Sequence, residues 1–143
     1  MPIYALGDLE PDIHPDAFVH PDAVIIGRVA VGEQSSIWPT AVLRGDVDTG
    51  IIIGARTSIQ DGTVVHTTHT QATTVGNDCV IGHLVHLEGC IIEDGCLVGS
   101  GSIVLHHARV ETGALVGAAA LVPNNMVVPS GSMALGVPAR IKP

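Results

Sequence analysis

An aliphatic side chain recurs every six residues along most of this chain. Ile13, Val19, Ile25, Val31, Ile37 and Leu43 stand six apart; Ile53, Ile59 and Val65 follow, then Val75, Ile81 and Leu87. A last run comprises Ile92, Val98, Val104, Val110, Val116 and Val122. Four residues beyond most of these lies a small or thin side chain: Ala17, Ala23, Ser35, Ala41, Cys79, Cys96, Ser102, Ala108, Ala114, Ala120. A period of six fits neither a helix nor a lone strand. It is the pattern of a parallel β-helix assembled from hexapeptide repeats.

Eighteen such hexads are countable, and a triangular solenoid uses three per coil, so the expected fold is all-β with about six coils. The leading aliphatic and the small fifth residue are expected to point inward. Tyr4, Phe18 and Trp38 are the only Tyr, Phe and Trp residues, and none follows Trp38. That suits a narrow core in which β-branched side chains stack and rings do not fit. A chain of 143 residues makes one domain, residues 1–143.

Three irregularities interrupt the ladder. About four extra residues bulge around Asp48–Ile51, about four more around His69–Thr73, and one is missing between Leu87 and Ile92. Solenoids accept inserts only at corners, and such loops are where a regular scaffold usually gains function.

Bulk properties exclude more than they assign. A net charge of −8 argues against nucleic acid or an anionic membrane as partner. No segment approaches eighteen apolar residues, and the N-terminus lacks a basic region followed by an apolar one, so a cytoplasmic location is expected. Cys79, Cys90 and Cys96 are odd in number and lack CxxC spacing; they read as buried small hydrophobes.

Residues in one slot of hexads three apart lie one coil apart, roughly 4.8 Å. His66 and Glu88 both occupy the second slot and should stack on one outward face, close enough to share an ion. Arg44 falls in the same column one coil below. His83 belongs to the adjoining face with Asp61 beneath it, and Gln60 is beside Asp61. A ligand around the corner reaches the same ion only if a second copy packs alongside, which calls for a cyclic trimer with the ion at the seam.

Several stretches resemble the γ-class carbonic anhydrases and their relatives. They are Leu43-Arg44-Gly45-Asp46, the run from Gln60-Asp61-Gly62 to His66-Thr67, and Ile81-Gly82-His83 followed by Gly89-Cys90. The ending from Val122-Pro123 to Ala139-Arg140 is similar too, though it is shared with many hexapeptide-repeat proteins. The resemblance implies a left-handed β-helix, a homotrimer, and one zinc ion, or another divalent metal such as iron or cobalt, at each interface. The activity it implies is reversible hydration of carbon dioxide to bicarbonate by a metal-bound hydroxide. The implied ligands are three histidines, two from one subunit and one from its neighbour, and His66 and His83 match two of them. Arg44 and Asp46 match a salt bridge across the seam, Gln60 a residue that hydrogen-bonds the hydroxide or substrate, and Asp61 one that holds a neighbouring group.

The third ligand departs from the pattern. Glu88 stands where the family has histidine, and a histidine appears two residues earlier at His86. Three arrangements stay open: Glu88 ligates, since two histidines and a glutamate form a catalytic zinc set; His86 ligates, with Glu88 supporting it; or the site holds little metal. A carboxylate ligand makes bound water less acidic than imidazole does and favours harder ions. Asp48 is the only carboxylate in the first insert, so a long acidic proton-shuttling loop is not expected. His69 and His86 are candidate shuttles, whereas His106 and His107 are expected to be ordinary exposed residues. Family members commonly continue into a helix along the solenoid; the sequence ends at Pro143, so no C-terminal helix is expected and the last coil needs another cap. Two other functions share this scaffold: a hexapeptide-repeat acyltransferase, and a non-catalytic trimer held together by the ion.

Overall fold

The computed structural model describes residues 2–143 as twenty-two short strands joined by turns, with no helix among them. Successive strands go to three different sheets in rotation, and every third strand pairs in parallel with the one before it in its sheet. The result is a left-handed parallel β-helix. Register follows the hexads: Ile25 pairs with Leu43, Ile37 with Ile59, and Val75 with Ile92.

The leading aliphatics fill the core. Ile25, Ile37, Leu43, Ile59, Val65, Ile81, Leu87, Val98 and Val104 are all fully buried. The fifth slots point inward as well, and their hydroxyls are satisfied, that of Ser102 by the Gly99 carbonyl of its own turn and those of Ser35, Thr57 and Thr63 by the next coil. Ser35 Oγ donates to the Gly54 carbonyl at 2.6 Å, Thr57 Oγ1 to Gly76 at 2.6 Å and Thr63 Oγ1 to Gly82 at 2.7 Å. Among the described residues no buried side-chain nitrogen or oxygen lacks a partner. Cys79, Cys90 and Cys96 are free and buried, and burial pushes the Cys90 thiol up to about 12, consistent with small inert hydrophobes.

The solenoid has about seven coils where six were expected. Ile3 pairs with Ile25, Val128 with Val110 and Ala134 with Val116, which supplies three further leading positions. Ile3 is hidden by a ten-residue step to Ile13 that contains the Leu6–Leu9 bridge, and Ala134 is too small to read as a leading aliphatic. The last coil is covered by a short antiparallel strand, Arg140–Lys142, lying on Met133–Leu135. No helix among the described residues is long and apolar enough to cross a membrane.

Both inserts sit at the corner between the first and second sheets, slightly earlier than expected. Ile51 and Thr73 are strand residues paired with each other, so the extra chain occupies residues 46–50 and 67–72. The first insert leaves through a crowded point. A Cβ on Gly45 would lie 2.1 Å from the Arg28 carbonyl oxygen, which itself accepts the Ile51 N–H at 2.9 Å. Gly45→Ala is therefore expected to destabilise the fold by about 1–3 kcal/mol, read as a lowered midpoint in thermal unfolding.

Candidate metal centre

The first sheet brings the strands Val42–Gly45, Val64–His66 and His86–Glu88 side by side. His66 pairs with Arg44 on one side and with Glu88 on the other, so the column read from the hexads is present. Leu43, Val65 and Leu87 point into the core, and strand alternation turns Arg44, His66, His86 and Glu88 outward.

His66 is the hub. Its Nε2 lies 2.9 Å from Asp46 Oδ1 and 3.3 Å from an Arg44 guanidinium nitrogen, while its Nδ1 lies 3.2 Å from Glu88 Oε1. Arg44 Nε also reaches Asp46 Oδ2 at 3.3 Å, so this pair bridges within the chain. Glu88 accepts from His106 Nε2 at 2.8 Å through its other oxygen, and His86 Nε2 stands 3.4 Å from Oε1. His86 is thus a strand residue beside Glu88, within reach of it.

The tautomer of His66 carries the chemistry. A carboxylate only accepts hydrogen bonds, so a His66 nitrogen must carry a proton to bond one, and His66 faces a carboxylate on each side, Asp46 at Nε2 and Glu88 at Nδ1. A neutral ring has one proton to give, so one of its two nitrogens then meets a carboxylate oxygen as acceptor against acceptor. That arrangement is repulsive unless the ring takes a second proton or a cation lies between the two atoms. Two donors on one tetrahedral zinc ion stand roughly 3.4 Å apart, so the residues fit such an ion. Partial burial pushes the Glu88 and Asp46 carboxyls up, but hydrogen bonds from His106 and His66 to Glu88, and from His66 to Asp46, outweigh it and hold both below the usual carboxylate range.

The remaining expected residues lie at the opposite edge of the same sheet. Gln60, Asp61 and His83 occupy the turns that lead from the third sheet into the first, whereas His66 ends its strand at the far side. His83 Nδ1 faces Asp61 Oδ1 at 3.3 Å, and both side chains are more than half exposed. Each of these two histidines thus has an aspartate on one ring nitrogen, the arrangement that orients a ligating imidazole. Gln60 touches neither His66 nor Glu88. Among the described residues no three His, Cys, Asp or Glu side chains converge tightly enough to hold an ion within the single chain. A surface cleft of about 420 Å³ lined by Asp8, Glu10, Asp12, Arg28 and Asp48 opens elsewhere and contains no histidine.

Two features escaped the sequence reading. His106, expected to be an ordinary exposed residue, makes the shortest contact to Glu88; its hexad lay one coil above, which was the available signal. Thr73 ties the two site strands together, donating from Oγ1 to the His66 carbonyl at 2.5 Å and accepting the Gly89 N–H at 2.7 Å. His69 is exposed in the second insert, and His107 reaches Thr70 Oγ1 at 3.5 Å.

A family model described as bacterial transferase hexapeptide (six repeats) matches residues 72–106. Protein YrdA of Escherichia coli strain K12 is 44% identical over 140 residues, covering 93% of this chain and 76% of that protein. A protein of Arabidopsis thaliana named gamma carbonic anhydrase 2, mitochondrial, is 41% identical over 139 residues, 93% of this chain. The chain belongs to the γ-class carbonic anhydrase-like family of hexapeptide-repeat proteins. It spans 50% of the length of that Arabidopsis relative. Within the family's fold, a Bacillus cereus crystal structure of a protein provisionally named an acetyltransferase superposes with a TM-score of 0.96 at 38% identity, covering 98% of this chain and 81% of that one.

Because Asp46 and Glu88 titrate lower in the folded chain than when unfolded, the folded state binds fewer protons over that range. Their contribution to stability is complete above the ordinary carboxylate pKa and fades as pH falls through the lowered values. Thermal midpoints should fall below roughly pH 4, and fall less steeply in Glu88→Gln. Thr73→Val removes one buried and one part-buried hydrogen bond and should cost about 1–3 kcal/mol, measured by chemical denaturation.

Proposed function

We propose that this protein is a metal-dependent γ-carbonic anhydrase-like enzyme that interconverts carbon dioxide and bicarbonate at the seams of a homotrimer. The observation that carries the reading is the 3.2 Å separation of His66 Nδ1 and Glu88 Oε1 on one outward column, close to that of two ligands on one ion. His66 and Glu88 of one subunit and His83 of the partner subunit would hold a zinc ion, or another divalent metal such as iron or cobalt. Two histidines and a carboxylate form an open catalytic set. Placement of His66 and His83 at opposite edges of one sheet supports a site completed between copies. So does the apolar surround, since Val64 and Ile103 on the same outward face are each 39% exposed.

When bound, the ion would lower the pKa of water toward neutrality. The chain's own residues do the rest. Asp46 fixes the tautomer of His66 and Asp61 that of His83, leaving one nitrogen of each for the ion. Arg44 neutralises Asp46 and keeps its oxygen on His66. Gln60, brought by the partner's edge together with Asp61 and His83, would orient the substrate through its amide. Glu88 adds negative charge where an imidazole would be neutral, so it opposes water ionisation. His86, beside Glu88, would exchange protons with solvent.

Metal analysis should find one divalent ion per chain, with sedimentation as a trimer. His66→Ala and His83→Ala should each lose the ion and the hydration activity. In Glu88→His the pH profile of hydration should move to lower pH than in the natural sequence. A purified protein that takes up no divalent ion overturns the reading, and trimers that dissociate on chelation but never hydrate carbon dioxide leave the ion a structural role only. The transferase family model and the Bacillus neighbour favour a second reading, acyl transfer; stabilisation by acetyl-CoA in a thermal shift assay would support it.

A further inference from the structure

We propose that His106 is the positioning residue of Glu88, selecting which carboxylate oxygen faces the ion. This rests on the reading that Glu88 ligates. Glutamate turns about three side-chain torsions where histidine turns about two, so a carboxylate in an imidazole's place needs a second anchor to present one oxygen in one direction. His106 supplies it. Its Nε2 donates to Oε2 at 2.8 Å, the shortest contact Glu88 makes, and leaves Oε1 turned to His66 Nδ1 at 3.2 Å. The weaker approach of His86, 3.4 Å, falls on Oε1, the oxygen that ligation would use.

The backbone around His106 is held from both neighbouring coils. The His107 N–H donates to the Gly89 carbonyl at 2.7 Å, and the His106 carbonyl accepts the Asn125 N–H at 3.0 Å. Gly89 directly follows Glu88 at φ +64°, in the corner shortened by one residue, and an added Cβ there would meet Thr68 Cγ2 at 2.9 Å. The shortened corner therefore brings the ring of His106 over the carboxylate one coil below. A donor on Oε2 also withdraws charge from the carboxylate, bringing its field at the ion closer to that of an imidazole.

The test is zinc and cobalt binding to the full chain after chelator treatment, with oligomeric state and thermal midpoint checked for each variant. His106→Ala should weaken zinc binding 10–100-fold in chelator competition and change the visible spectrum of the cobalt form. His106→Gln, which keeps a donor near the same place, should recover most of the affinity and the spectrum; His107→Ala should stay within about twofold of the natural protein. Loss of binding in Glu88→Ala with undiminished binding in His106→Ala overturns the positioning role alone. Undiminished binding in Glu88→Ala, or no uptake by the natural sequence, overturns the ligation reading and this inference with it.

Discussion

Every property of this molecule depends on the hydrogen-bonded ladder between successive coils. A parallel pairing with one coil per step forces each residue to lie over its counterpart in the next coil, and the spacing in space, about 4.8 Å, is the same everywhere. Inward slots then form continuous apolar columns with no room for rings, and outward slots form columns of solvent-facing side chains. Insertions are confined to corners, because a bulge within a strand would break the pairing of two coils at once. The inserts at residues 46–50 and 67–72 obey this rule, sharing one corner, and their flanking strands still pair Ile51 with Thr73.

The same ladder makes a charged column costly unless its members complement one another. Arg44, His66 and Glu88 alternate in character along the column, and Asp46 joins from the first insert. Like charges stacked at that spacing would repel; here a guanidinium, an imidazole and carboxylates form a connected set. His66 faces a carboxylate on each ring nitrogen, Asp46 and Glu88, so a single proton on the ring satisfies only one of them. A second proton satisfies the other; under the proposed function a metal ion would take its place. The carboxylate also makes this rung different from three-imidazole sites, since it carries a formal charge that imidazole lacks. His106 tempers that difference from the coil above.

The hexads made the core, the column and the pairings of Asp61 with His83 legible, because period and register are one piece of information in a solenoid. They undercounted the coils, since Ala134 hides its slot and Ile3 is displaced by a ten-residue step. They also misjudged His106. Slot counting assigns neighbours within straight segments, but at the corner after Glu88 one residue is missing, and there the direction of a side chain depends on local turn geometry. Thr73 was invisible for a related reason: its hydroxyl serves carbonyl and N–H groups of two different coils, which composition does not reveal.

The sequence by itself determined the scaffold, the inward and outward faces and the stacking of His66 between Arg44 and Glu88, because a fixed repeat converts chain distance into spatial adjacency. Only the tertiary structure decided which nitrogen of His66 meets which carboxylate, that His106 anchors Glu88, and that His83 lies across the sheet from both. Those facts depend on torsions at corners and on side-chain directions, which a repeat leaves free and packing between coils fixes.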